Sequence, residues 1–229
     1  TIMKKIALFI LVLTGHLLHS QEWTFEKPNY KKIEKNIKKK DSNLNYESLM
    51  ARYLEADSTM TLEEKRHLYY GYSFDKNYSP YSRSDFKDSL RVVLRKEQLD
   101  SVDLNKLVYF TDKMLFESPF DLDAINYQLY ALEQIGNKQS FDNRMTQLRT
   151  IVDAMLSSGN GKQKNEAFFV IYTSHEYNLL SILGFQFGGS QSLIEHYDYL
   201  TLAENEAKLE GLYFDVSPCL NVMTKMFKE

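Results

Sequence analysis

The chain has 229 residues (26.9 kDa), 43% of them hydrophobic and 26% charged, with 14 Phe, 16 Tyr, nine Gly and four Pro, which excludes a disordered, collagen-like or low-complexity polymer. A single Cys excludes an intrachain disulfide framework and a cysteine-based zinc site. A formal charge of -3 and an isoelectric point near 6.0 remove the global electrostatic case for nucleic acid as a partner.

Lys4 and Lys5 precede an apolar run from Ile6 to Leu18, broken only by Thr14, Gly15 and His16, and a polar stretch follows His19-Ser20-Gln21. This pattern predicts a signal peptide over residues 1–20. A helix of that length reaches only about 20 Å against a hydrocarbon core of about 30 Å, so no stable membrane span is expected. No Cys lies nearby to take a lipid. The expected location is periplasmic or secreted, with residues 21–229 forming a single α+β domain.

Helical patterns come first. Asn29 to Lys40 carries Ile33 and Ile37 among six Lys, a narrow apolar stripe opposite a basic face, whose simplest role is solvation and whose alternative is contact with anionic lipid or polymer. Tyr46 to Ala56 presents Leu49, Tyr53 and Leu54, and Thr61 with Glu64 forms a capping box ahead of His67-Leu68-Tyr69-Tyr70. Ser84 is placed to cap a helix through Phe86, Leu90, Val93 and Leu94. Leu104, Leu107, Val108, Thr111, Met114 and Leu115 form one helical stripe, which Ser118-Pro119 ends. Asp121 starts the next, through Leu122, Ile125, Leu129 and Leu132 to Gly136-Asn137, and Phe141, Met145, Leu148, Val152 and Met155 make another. The turn at Pro119-Phe120-Asp121 with Gly136-Asn137 resembles one tetratricopeptide-like unit, and no second copy follows at a period near 34.

After Asn160-Gly161 the texture changes. Ala167 to Tyr172 is a β-branched and aromatic run suited to a buried strand, and Ser174 to Leu183 suits a short helix. Tyr197 to Ala203 and Gly211 to Val216 alternate like the arms of a hairpin joined by the acidic Asn205 to Glu210, and Leu220 to Phe227 closes the chain as a helix. The predicted fold is α+β: an N-terminal helical array of helical hairpins over about 29–158, followed by a small, mostly antiparallel C-terminal sheet with helices over about 164–229.

Leu68-Tyr69-Tyr70-Gly71-Tyr72-Ser73-Phe74, Tyr78-Ser79-Pro80-Tyr81, Ser158-Gly159-Asn160-Gly161-Lys162, Glu166-Ala167-Phe168, Glu176-Tyr177 and Leu212-Tyr213-Phe214 together resemble the secreted bacterial domain of unknown function family 4919. The resemblance spans nearly all of residues 21–229 and implies a secreted protein of Gram-negative bacteria without an assigned activity or catalytic residue. The family's pattern implies an acidic residue before Glu-Tyr, where this chain carries His175.

Catalytic motifs do not emerge. Gly159-Asn160-Gly161-Lys162 lacks the spacing of a phosphate loop and reads as a turn, and Gly188-Gly189-Ser190-Gln191-Ser192 lacks the Gly-x-Ser-x-Gly elbow. Cys219 has no local feature that lowers its pKa to make it a nucleophile with His175 or His196 as base. No metal site is predicted and no cofactor is expected. His175, Glu176, His196 and Asp198 are the weak candidates, a ligand set zinc would accept if they converged. Asp121 and Asp123 are better explained by helix capping than by glycoside hydrolysis.

The tyrosines Tyr69, Tyr70, Tyr72, Tyr78 and Tyr81 are the candidate binding residues, since phenol platforms stack on sugars or anchor peptides. Packing is the competing role. Adjacent residues of a helix point about 100° apart, so at least one of Tyr69, Tyr70 and Tyr72 is expected to be exposed if they line a groove. The leading functional expectation is a secreted or periplasmic, non-catalytic binding or interaction domain, its partner an envelope protein, a peptide or a glycan. The alternative is a hydrolase of envelope or extracellular polymers.

Overall fold

The computed structural model describes residues 25–226, with side chains through residue 224. The signal peptide expected over residues 1–20 lies outside the described residues. Among the described residues the architecture is α+β, with nine α-helices and one four-stranded sheet.

Side-chain caps set most helix starts. Asn29 caps α1 (Tyr30–Ile37), Asn45 caps α2 (Tyr46–Leu54), and Thr61 with Glu64 forms the reciprocal capping box of α3 (Leu62–Gly71). Ser84 Oγ accepts from the Phe86 amide at 3.2 Å before α4 (Phe86–Leu94), although Asp85 occupies the cap position itself. Asp100 and Asp121 cap α5 (Ser101–Glu117) and α6 (Leu122–Ile135), and Gly136, at φ +78°, closes α6 with the left-handed residue that glycine tolerates best. Then follow α7 (Lys138–Leu156), β1 (Phe168–Phe169), α8 (Ser174–Ile182), β2 (Phe187–Ile194), β3 (Tyr197–Leu202), β4 (Gly211–Asp215) and α9 (Ser217–Met226).

Two compact units result. Ser82–Arg149 holds α4, α5, α6 and the first turns of α7; residues 25–81 with 150–226 hold α1 to α3, the sheet, α8, α9 and the last turns of α7. The helices before Ser82 therefore group with the sheet and not with the helices that follow them, which sequence order alone does not reveal. In the helical unit α5 and α6 form an antiparallel hairpin, with Gln128 donating to the Val108 carbonyl at 3.3 Å and to Asp112 at 2.6 Å. Leu107, Met114, Ile125 and Leu129 are buried as their spacing predicts, whereas Leu148 is only half-buried.

The sheet has the order β1-β4-β3-β2. The predicted hairpin of β3 and β4 forms with Leu200 opposite Leu212, but the sheet is mixed, because β1 lies parallel to β4. β2 was not expected. The sequence pattern assigns residues 187–194 no element, yet β2 pairs with β3 through a two-residue turn in which Glu195 takes φ +64°, and all eight of its residues are exposed. The run Ala167 to Tyr172 also departs from expectation: only Phe168–Phe169 is strand, although the whole run is buried. Side chains satisfy the backbone that a second neighbouring strand would otherwise engage.

Leu107→Ala and Leu129→Ala should each destabilise the protein by about 2–5 kcal/mol, and the half-buried Leu148→Ala by less. Equilibrium chemical denaturation checks this; losses under about 0.5 kcal/mol at both Leu107 and Leu129 would show that the helix faces are misassigned.

Candidate functional site

The tyrosine cluster is built into the core. Tyr69 and Tyr70 are 0% exposed and Tyr72 is 3% exposed, so the expectation that one of the three faces solvent is overturned, and with it the groove. The periodicity reasoning fails because the last turn of α3 is enclosed on every side: Leu68, Tyr69, Tyr70, Gly71 and Tyr72 are all buried, and a helix without a solvent face has no single apolar stripe. Tyr78 is buried as well, and Tyr81 alone of the five candidates is exposed, at 44%.

Tyr69, Tyr70 and Tyr78 each have a polar duty. The Tyr69 hydroxyl accepts from the Ile171 amide at 3.2 Å and stands 2.7 Å from His175 Nδ1. Tyr70 donates to the Ala154 carbonyl at 2.9 Å, and Tyr78 donates to the Ile171 carbonyl, which also accepts from Cys219 Sγ at 3.3 Å. Ser158 Oγ accepts from the Phe169 amide at 2.9 Å. Burial raises the pKa of Tyr69, Tyr70 and Tyr78, which keeps all three protonated as donors.

The four metal candidates do not converge; among the described residues no three His, Cys, Asp or Glu side chains come together to hold an ion. His175 is buried against Tyr69, while the half-exposed His196 lies 3.4 Å from Asp215. Glu176 and Asp198 are brought together. Glu176, in the first turn of α8, is 0% exposed, with its carboxyl group beside Asp198. Burial, reinforced by the adjacent Asp198 carboxylate, pushes the Glu176 pKa up to about 9, so the group is a neutral acid at pH 7. Asp198 accepts from Gln191 Nε2 at 2.8 Å, and the exposed Tyr177 hydroxyl donates to Gln191 Oε1 at 2.5 Å. Burial also raises the Cys219 thiol to about 12, which removes it as a nucleophile at neutral pH.

The Gly159 to Lys162 turn engages its own chain. The amides of Asn160 and Gly161 donate to the Glu166 carbonyl at 3.0 and 2.8 Å, so they are not presented to an anion. A Cβ on Gly159 would stand 2.2 Å from that same oxygen, which explains the glycine.

Two clefts among the described residues bear on function. One, in the sheet-containing unit, has a volume of about 360 Å³ and is walled by Arg66 and His67, whose polar atoms are already engaged with Ser157, the Glu26 carbonyl, Asn36 and the Glu63 carbonyl. The other, of about 330 Å³, lies within the helical unit: Leu90, Leu94, Met114 and Tyr127 line its floor. Lys87, Arg91 and Arg95 stand at its edge with one acid, Asp123. Sequence reasoning missed this cleft. Its signal was present, in three cations at four-residue intervals beside Leu90 and Leu94 at the same interval.

The protein is thus an α+β fold with a sealed acid pair and an open, cation-edged cleft. A family model described as "Domain of unknown function (DUF4919)" matches residues 31–225, and the chain belongs to that family. Neither a curated protein nor a solved structure matches the chain. Among the described residues no helix is long and apolar enough to cross a membrane.

Two outcomes test these assignments. Because Glu176 keeps its proton well above its ordinary value of 4.5, its contribution to stability is complete below about pH 4.5 and is lost as pH rises toward 9, a loss of about 3 kcal/mol by pH 7. Glu176→Gln should flatten that decline in pH-dependent denaturation; an unchanged slope would refute the neutral acid. Tyr69→Phe strands the buried Ile171 amide and should cost about 1–3 kcal/mol.

Proposed function

We propose that this DUF4919 protein is exported to the periplasm or beyond and acts there as a non-catalytic binding domain, with its binding surface on the helical unit. The observation that carries this reading is the half-open cleft of about 330 Å³, in which an apolar floor adjoins three cationic side chains. Clefts of this kind combine burial of apolar groups with a few orienting charges, and the volume lies at the low end of ligand pockets, roughly 300–1,000 Å³. The α5–α6 hairpin behind the cleft, with its tetratricopeptide-like turn, is a scaffold type suited to holding a peptide or protein partner. Export rests on the basic and apolar pattern of residues 4–18.

The hydrolase alternative has one favourable feature, the Glu176 and Asp198 pair, because a raised acid beside a carboxylate is the chemistry that glycoside cleavage uses. Its burial argues against that role. A glycosidic oxygen must come within hydrogen-bond reach of the acid, and Glu176 presents no surface to solvent.

Expression of the complete gene in a Gram-negative host, followed by fractionation and intact-mass measurement, should find the chain in the periplasm or medium, shortened by about 20 residues. Purified protein mixed with solubilised envelope extract should show slowed amide exchange over residues 86–127 and release no soluble fragments from envelope polymer. Fragment release that is abolished by Glu176→Gln would replace the binding reading with a hydrolase.

A further inference from the structure

The cleft of the helical unit has a definite charge geometry. Lys87, Arg91 and Arg95 recur every fourth residue, so they form a gently sloping row along one side of α4, with about 6 Å between successive positions. Leu90 and Leu94 repeat at the same interval one row further in and are buried with Met114 from α5. Lys87 and Arg95 have no ion-pair partner among the described residues. Arg91 meets Asp88 at 3.4 Å, a pairing between side chains that are each more than half exposed and hence contributes little. Asp123 is the single acid of the lining, with Asp88 acting on Arg91 and Asp121 on Lys87 from outside it, so the lining itself sets three cations against one acid over about 12 Å. Tyr127, half-buried on α6, is kept protonated by burial and by the charges of Asp123 and Asp121, and so offers a hydroxyl donor beside the apolar floor.

We propose that this cleft docks an acidic amphipathic peptide segment, whose carboxylates follow the Lys87, Arg91 and Arg95 row while its Leu- or Phe-sized side chains enter over Leu90, Leu94, Met114 and Tyr127. The inference rests on the binding role proposed above and adds the chemistry of the partner. Carboxylates at every fourth residue of a helix reproduce the spacing of the cations, and one apolar face of the same helix reproduces the floor. A single-chain anionic lipid fits less well, because one head group engages one or two of the three cations. A neutral glycan leaves all three unpaired, and an apolar floor offers its hydroxyls no partners. Rim charges of this sort steer association and set specificity, so binding should weaken as salt rises.

The test uses the full chain and three fluorescein-labelled synthetic peptides of 15 residues, read by fluorescence anisotropy. The first carries Glu at four-residue intervals with Leu three residues after each, the second has Gln in place of every Glu, and the third has Lys there. The wild-type protein should bind the Glu peptide at least tenfold more tightly than the Gln peptide. Lys87→Glu combined with Arg91→Glu should lose at least tenfold for the Glu peptide and gain affinity for the Lys peptide, with the fold retained, as read by an unchanged circular dichroism spectrum, because both positions are exposed. Equal affinity for the Glu and Gln peptides, or indifference to the charge reversal, overturns the proposal. Laurate binding in the absence of Glu-peptide binding overturns it in favour of a lipid. Amide exchange with envelope extract separates the two levels: if the extract slows exchange over residues 86–127 and the Glu peptide does not bind, the partner chemistry is wrong while the binding role stands. If neither acts there, both fall.

Discussion

The sheet-containing unit depends on how it satisfies one buried stretch of backbone. Residues 167–172 run through the core, yet only two of them belong to a strand, so their remaining amides and carbonyls must find partners without water or a second ladder. Ser158, Tyr69, Tyr70, Tyr78 and Cys219 supply those partners from the turn after α7, from α3, from the segment after α3 and from α9, and Asp215 of β4 accepts from the Val170 amide. Four separated parts of the chain, besides β4, are tied to one segment by side-chain hydrogen bonds, and loss of the Tyr69 bond, for one, leaves the buried Ile171 amide unpaired. Such a loss costs more than the bond's net contribution, which makes the arrangement specific to a single packing.

That duty accounts for the tyrosines at positions 69, 70 and 78. A phenylalanine fills the same volume without the hydroxyl, and a serine reaches too short a distance from α3, so tyrosine combines bulk with a polar tip where both are required. The rings also pack on one another: Tyr69 and Tyr70 lie 5.0 Å apart in an edge arrangement, and Tyr72 and Tyr78 5.7 Å apart. Aromatic groups committed in this way are unavailable to a ligand. The same enclosure produces the neutral acid at Glu176, whose ionisation would place a second negative charge beside Asp198.

The helical unit has the opposite character. Its hairpin is held by apolar stripes and the Gln128 bonds, and it leaves large groups outside: Phe116 is 90% exposed, and Val102 and Tyr109 precede it at seven-residue intervals on the same outer side of α5. Its cleft pairs an apolar floor with cations on long side chains.

Local patterns carried much of this structure. The caps at Asn29, Thr61 and Asp121, the closing Gly136, the stripe through Leu107 and Met114, and the arms of the β3–β4 hairpin were legible because each depends on residues within a few positions of one another. Family membership was legible too, in short runs spread along the chain. β2 was not, because an exposed edge strand needs no apolar alternation and is held by pairing with β3. Nor was the role of the tyrosines, since whether a ring near the end of α3 meets water or the Ile171 amide depends on a segment about 100 residues away. The sequence by itself determined the helices, their caps, the hairpin and the α+β class, all consequences of short-range geometry. Only the tertiary structure decided which polar groups are sealed and which face is offered, because burial is a property of everything that surrounds a residue.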